Sequence, residues 1–287
     1  MPRLQNDYYP ELVEASLSVL VELMTTLGSY RDSLVLIGGW VPYFILQEYQ
    51  EPGVDFRHVG SIDIDLLIDP DIAYSEQYAT IVGMLMDRGY SRNPQVRFRL
   101  DRTITGSIDG QEYSTAVDLL TPKPPPGEGR AHRHRTVQSD LQAHTLEGGE
   151  VALTHNFWFS LAGTLPGDGR TRVRFQIADL VACLSLKGGA LGKRYAEKDA
   201  YDVYTLCAYH RGGPSAVAAR LRPHVPDPTV QRGLNGIASR FRDPEAEGPS
   251  WVAKFLLGGD DSVDDAVRIR QDAFMVVNEV LRLLGRA

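Results

Sequence analysis

Apolar residues at Leu12, Ala15, Val19, Leu23 and Leu27 recur at helical spacing and stop at Gly28, which predicts an amphipathic helix over 11–27. The unbroken run from Leu34 to Ile37 predicts a short core strand, and a second helix is expected from Val41 to Gln47. Ile62 to Ile68 reads as a strand closed by Asp69-Pro70, and Tyr74 to Arg88 as a helix ending at Gly89. Strands are expected over Val96–Leu100 and Tyr113–Leu120, with shorter ones at Val151–Thr154 and Arg172–Phe175. From Ile177 the pattern turns helical: Ile177–Leu186, Ala196–Ala208, Pro214–Leu221 and Val230–Arg240. Arg242 to Pro249 is polar with Pro and Gly, a surface connection. Ser262-Val263-Asp264-Asp265 resembles a capping box, opening a last helix whose stripe is Val263, Val267, Phe274, Val277, Leu281 and Leu284. The expected class is α/β (α+β): a mixed sheet flanked by helices over residues 1–176, then a helical bundle over 177–287.

Two acidic residues interrupt this pattern in an informative way. In Gly60-Ser61-Ile62-Asp63-Ile64-Asp65-Leu66-Leu67, successive side chains on a strand alternate faces, so Asp63 and Asp65 share one face while Ile62, Ile64 and Leu66 fill the other. Neighbouring carboxylates repel unless a cation sits between them, and hard cations held by one or two carboxylates plus substrate phosphates are typically Mg²⁺. Upstream, Gly38-Gly39 ends the first strand and feeds a helix, so its backbone N–H groups form a ready phosphate cradle. Taken singly, a Gly pair also serves a tight turn, and Asp-x-Asp also occurs on solvated strand edges. In this order they read as a metal-dependent nucleotidyl-transfer site.

A second block lies at Lys187-Gly188-Gly189, Arg194 and Lys198-Asp199-Ala200-Tyr201-Asp202. Lys187 is placed at the end of a wholly apolar helix, where its stem can lie along apolar surface while its ammonium reaches out. Asp199 and Asp202 lie three apart on one helix face. The alternative is a salt-bridged helix, with Lys198 paired to Asp202 at i,i+4.

Gly-Gly followed by Ser-x-Asp-x-Asp resembles the DNA polymerase beta-like nucleotidyltransferase superfamily. The Lys, Arg and Lys-Asp-x-x-Asp block is similar to its AbiEii-type members, which include the MenT toxins of toxin–antitoxin systems. The resemblance spans roughly Leu34 to Leu206. It implies an NMP moved from a nucleoside triphosphate to an acceptor hydroxyl, with Mg²⁺ or Mn²⁺ held by Asp63, Asp65 and a third carboxylate. Asp118, alone among apolars in Ala116-Val117-Asp118-Leu119-Leu120, matches that third position; a capped Asp at the core edge is the plainer reading. By the same resemblance Gly38, Gly39 and Ser61 bind outer phosphates, Lys187 and Arg194 contact phosphate, and Asp202 or Asp199 supplies a late acidic role. The implied acceptor is RNA, tRNA above all, in a type IV toxin countered by a cognate antitoxin. Gly-Gly-Trp40 is also similar to the aminoglycoside- and lincosamide-adenylylating enzymes. A third possibility is a catalytically silent binding or antitoxin module.

Composition narrows the partners. Net charge is −7, so no global basic field advertises nucleic acid, and RNA would need a local basic track. Candidates are Lys193 and the run Arg130-Ala131-His132-Arg133-His134-Arg135 after three stiff prolines, with Arg130, Arg133 and Arg135 as phosphate contacts. A solvated surface loop is the simpler explanation. His132, His134 and His144 lack familiar zinc spacing. Cys183 and Cys207 fall in apolar helical patterns and read as buried free thiols of a reducing cytosol. No apolar run approaches the ~20 residues that span a membrane, and the N-terminus lacks a signal-peptide core, so a cytoplasmic protein is expected.

Overall fold

A computed structural model describes residues 4–71, 79–124, 133–167, 169–194, 196–258 and 263–286. Arg130, the first turn of the helix expected from Tyr74, and the Ser262 cap lie outside the described residues. In chain order the elements are α1 (Pro10–Thr26), β1 (Leu34–Ile37), α2 (Trp40–Tyr49), β2 (Asp63–Ile68), α3 (Ile81–Met86), β3 (Ser91–Arg92), β4 (Arg99–Thr105), β5 (Glu112–Pro122), β6 (His134–Gln138), β7 (Leu141–Leu146), α4 (Glu150–Thr154), β8 (Asn156–Thr164) and β9 (Arg170–Ala178). Helices α5 (Leu180–Leu191), α6 (Glu197–Tyr209), α7 (Gly213–Leu221), α8 (Pro228–Arg240), α9 (Glu247–Leu257) and α10 (Val263–Leu283) follow. The class is α/β with a mixed sheet and a run of C-terminal helices.

The chain forms two compact units that do not follow chain order. One comprises Tyr9–Trp40 and Ser61–Ala178; the other comprises Met1–Tyr8, Val41–Gly60 and Asp179–Ala287. The segment 41–60, placed by sequence within 1–176, thus groups with the C-terminal helices.

The first unit holds the whole sheet, ordered β3-β4-β5-β2-β1-β9-β8, with the β6–β7 hairpin joined to it through β7 and β5. β2 runs antiparallel to β1 and parallel to β5. Ile64, Leu66, Val117 and Leu119 are fully or almost fully buried, which fixes the register: a one-residue slip would turn Asp63 and Asp65 into the core. Helix α1 lays Val19, Leu20 and Leu23 onto the sheet, and its buried Glu22 takes a bidentate bond from Arg102 of β4 at 2.8 and 3.0 Å.

Several sequence expectations give way here. Val151–Thr154 lies in a short helix, α4, because its donors and acceptors close locally: the His155 N–H reaches the Val151 carbonyl. The real strand follows it: β8 pairs antiparallel with β9 from Asn156↔Ala178 to Thr164↔Arg170. β9 therefore runs through Ile177, where a helix was expected, because Leu36↔Ile177 continues the ladder to β1. His134 and Arg135, the end of the run expected as a surface loop, instead open β6 of the antiparallel hairpin β6–β7.

In the second unit, α5 starts at the Asp179 cap, whose carboxylate accepts from the Ala182 N–H at 3.0 Å, and continues to Leu191. Lys187 is thus internal to the helix rather than at its end. The Gly pair does not stop α5 because the backbone of α8 lies directly against it: a Cβ on Gly188 would sit 2.1 Å from the Gly233 carbonyl oxygen. The expected connection before Pro249 already belongs to α9, which begins at Glu247. Along α10, Val277 and Leu281 are buried, whereas Val263 is 72 % exposed. Among the described residues, no helix is long and apolar enough to cross a membrane.

Candidate active site

The β2–β5 ladder places Asp65 directly beside Asp118 and Asp63 beside Ala116, so Asp63, Asp65 and Asp118 share one face of the sheet. All three are half-buried. The β1–α2 turn closes over this face. Gly38 has φ 77°, and a Cβ there would lie 1.9 Å from Asp65 Oδ2. Only glycine tolerates both the left-handed backbone and that approach. A Cβ on Gly39 would meet Ser61 Oγ at 2.4 Å, and the Ser61 hydroxyl donates to the Asp63 carbonyl at 3.1 Å. Gly38, Gly39, Ser61, Asp63, Asp65 and Asp118 are therefore brought together within one unit.

The structure adds a residue that the sequence did not single out. Arg99, opposite Asp118 in the β4–β5 ladder, donates from Nε and Nη2 to both carboxylate oxygens at 2.6 and 2.8 Å. Those bonds raise the Arg99 pKa, burial working against them and the charges of Asp118 and Asp63 with them. A bidentate fork of this kind sets the plane of the carboxylate.

In the other unit, Lys187, 7 % exposed, donates to Asp199 at 2.9 Å and to Asp202 at 2.5 Å. Asp202 is wholly buried and also accepts from Lys198 at 2.5 Å and from His58 Nε2 at 2.9 Å. His58 Nδ1 in turn accepts from the Gly60 N–H at 3.1 Å, which assigns the neutral tautomer with its proton on Nε2. Burial first, then the charge of Lys198, brings the His58 pKa down to about 4. Burial alone would raise Asp202, but Lys187 and Lys198 hold its carboxyl well below the usual range. The same two carboxylates lift Lys187 above its ordinary value against its burial. Arg194, mostly exposed, reaches Asp199 at 3.0 Å, and Lys193 is exposed. In this arrangement Lys187 is bound by two carboxylates.

Arg133 is exposed, and Arg135 lies half-buried in β6, opposite Ala143 of β7. Trp40 is only 1 % exposed, a core side chain at the head of α2. Burial pushes the Cys183 and Cys207 thiols up to about 12, which leaves them unreactive.

Comparison with protein-family models finds no match, and comparison with curated proteins finds none either.

Among the described residues, no group of three or more His, Cys, Asp or Glu side chains is arranged to hold a metal ion by itself. A divalent ion with substrate phosphates needs fewer protein ligands, usually one or two carboxylates. Asp63 and Asp65, hard oxygen donors on one face beneath a glycine turn, fit that requirement. Asp118 has both oxygens engaged by Arg99, though each keeps a further lone pair.

Proposed function

We propose that the protein is a nucleotidyltransferase, moving an NMP from a nucleoside triphosphate to an acceptor hydroxyl. The observation that carries this reading is the alignment of Asp63, Asp65 and Asp118 on one face beneath the Gly38-Gly39 turn. Asp63 and Asp65 would hold Mg²⁺ or Mn²⁺, which supplies charge neutralisation at the triphosphate oxygens. Ser61 and the backbone N–H groups of the turn after β1 seat the outer phosphates. Asp118, oriented by Arg99, accepts the hydrogen bond of the acceptor hydroxyl and takes its proton. The acceptor oxygen forms a bond to the α-phosphorus as the bond to the β-phosphate bridging oxygen breaks, and pyrophosphate leaves. The resemblance of the Lys187, Arg194 and Lys198-Asp199-Ala200-Tyr201-Asp202 block to AbiEii-type enzymes supports RNA, tRNA in particular, as acceptor, and a toxin role with a cognate antitoxin.

The test incubates the full chain with Mg²⁺, each labelled NTP and total RNA, alongside Asp63→Asn. Label entering RNA with wild type alone is the expected result. If Asp63→Asn labels as well as wild type, the assignment of the site is wrong. Label entering an aminoglycoside in place of RNA would move the protein to antibiotic modification.

A further inference from the structure

The carboxylate face does not end at Asp118. β5 pairs next with β7, Leu120 opposite His144, and His144 faces His134 across the β6–β7 hairpin. Asp118 and Leu120 share a face, so His144 and His134 extend the carboxylate surface outward. Phe98, just before β4, completes a cluster: its ring lies 4.7 Å from that of His144 with 29° between planes, and 5.8 Å from that of His134. The two imidazoles are 5.6 Å apart. All three rings are half-buried. Burial, and after it the charge of His134, lowers the His144 pKa, with Asp118 and the Arg133 backbone pulling the other way.

The surroundings of the rings bear on how a ligand would meet them. The Nδ1 atoms of His134 and His144 have no hydrogen-bond partner among the described residues. Both atoms are enclosed, so a ligand would meet these rings through their exposed faces rather than through Nδ1. Arg133, exposed next to His134, can meet an acceptor's phosphate, while Asp118 lies on the side where the acceptor hydroxyl is needed. Strand order then decides which substrate sits here. The Gly38-Gly39 turn follows β1 on one side of the Asp63/Asp65 strand, whereas the rings lie on the other side, past Asp118. If triphosphate takes the turn, the rings belong to the acceptor.

We propose that Phe98, His134 and His144 form a stacking shelf that seats the nucleobase of a single-stranded RNA acceptor, presenting its ribose hydroxyl to Asp118. The proposal rests on the nucleotidyl-transfer reading for the hydroxyl, while base binding by the rings is measurable without any transfer. Imidazole and phenyl faces stack on any base, and the exposed Arg133 can meet the adjoining phosphate. A saturated aminoglycoside offers no aromatic face to stack.

The probe is a short oligoribonucleotide ending in 2-aminopurine, compared with the same strand ending in an abasic ribose. Wild type should quench the terminal fluorophore and prefer the base-bearing strand by about tenfold. Phe98→Leu and His144→Ala should lose that preference, and Phe98→Trp should keep it. In the transfer assay the same variants should raise the acceptor KM by a similar factor, with kcat and the NTP KM unchanged. Equal binding of the two strands by wild type overturns the proposal, as does wild-type quenching by a folded Phe98→Leu. If transfer to RNA occurs and the shelf variants match wild type, the shelf alone fails. If no acceptor is labelled but quenching depends on Phe98, the shelf stands and the transfer reading fails.

Discussion

Asp202 is wholly buried and accepts bonds from Lys187, Lys198 and His58, whereas Asp63, Asp65 and Asp118 lie half-exposed along one sheet face. Both clusters are acidic side chains set among apolar ones, yet their surroundings assign them different work. Burying a carboxylate demands compensation on the spot, and the α5–α6 cluster provides it with two lysines and a neutral histidine. A half-exposed carboxylate keeps water in reach, so the sheet face can carry like charges side by side until a cation and phosphates arrive. The comparison predicts that neutralising one cluster costs activity and neutralising the other costs the fold.

The sharpest break pairs two isosteric changes. Asp63→Asn should reduce NMP transfer by about three orders of magnitude, the loss of several kcal/mol of charge stabilisation, while the urea midpoint moves little. Asp202→Asn leaves Lys198 against a neutral amide and Lys187 with Asp199 alone, and should cost roughly 3–5 kcal/mol of stability. Urea titration and labelled-NTP incorporation on both variants decide the matter. Should Asp202→Asn be as stable as wild type yet inactive, the Lys187 cluster is itself catalytic and the contrast collapses.

Glycine substitution makes the next test. Gly38→Ala meets both a φ of 77° and the Asp65 carboxylate, and should cost roughly 2–5 kcal/mol together with activity. Gly53→Ala has a similar φ of 84° with nothing within 4 Å, and should cost only roughly 1–2 kcal/mol with transfer intact. Equal losses at the two positions would show that the Gly38 turn is a turn and nothing more.

What the sequence revealed of these clusters follows from how local each signal is. Asp63 and Asp65 stood out because alternation with Ile and Leu places charge within a core strand, a pattern complete within seven residues. Asp118 was visible for the same reason. Arg99 was not, because its role depends on which strand pairs with β5 and in what register. His58 sits in an aperiodic stretch and meets Asp202 from 144 residues away. The Lys198–Asp202 pair was legible as an i,i+4 pair, but its burial was not. Gly188-Gly189 suggested a helix end because the sequence of α5 alone does not show that α8 presents Gly233 and Gly236 to it. The β8–β9 hairpin is hard to see in the sequence for a similar reason. Its aromatic half, Asn156-Phe157-Trp158-Phe159, carries strand-forming residues, but the strand pattern opposite is clear only over Arg172–Phe175, and the pairing that extends it to Ala178 is not local.

The buried cluster also predicts a pH dependence that the open face does not share. His58 is neutral in the fold with a pKa of about 4 against an ordinary 6.5, and it faces Asp202, Lys198, Lys187 and the rings of Tyr201 and Tyr43. Above pH 6.5 both folded and unfolded chains carry it neutral, and its contribution is intact. As pH falls from 6.5 towards 4 the unfolded chain takes up a proton that the folded one refuses, so stability declines by about 3 kcal/mol across that window. The Asp202 carboxyl, held well below the usual range, stays ionised throughout. His58→Gln keeps a donor for Asp202 but does not titrate, so its urea midpoint should vary less between about pH 7 and pH 5. An unchanged pH profile in that variant would mean that another group carries the dependence.

The smallest effect is expected at the rim of the open face, where charges are solvated. Arg133 is exposed and Arg135 half-buried on the β6–β7 hairpin, the hairpin that also carries His134 and His144. If RNA crosses this hairpin, each arginine that neutralises a phosphate releases condensed counterions, and log affinity falls with log salt by about 0.7 per contact on a single strand. The double change Arg133→Ala with Arg135→Ala should therefore flatten the salt slope by up to about 1.4. It should weaken binding at low salt more than at high salt and leave NTP binding unaltered. The contrast with Phe98→Leu is diagnostic, because stacking is insensitive to salt: that variant should shift the whole line down with its slope preserved. A double variant whose slope matches wild type would show that the hairpin arginines are solvated surface, and that any RNA phosphate track lies elsewhere on the protein.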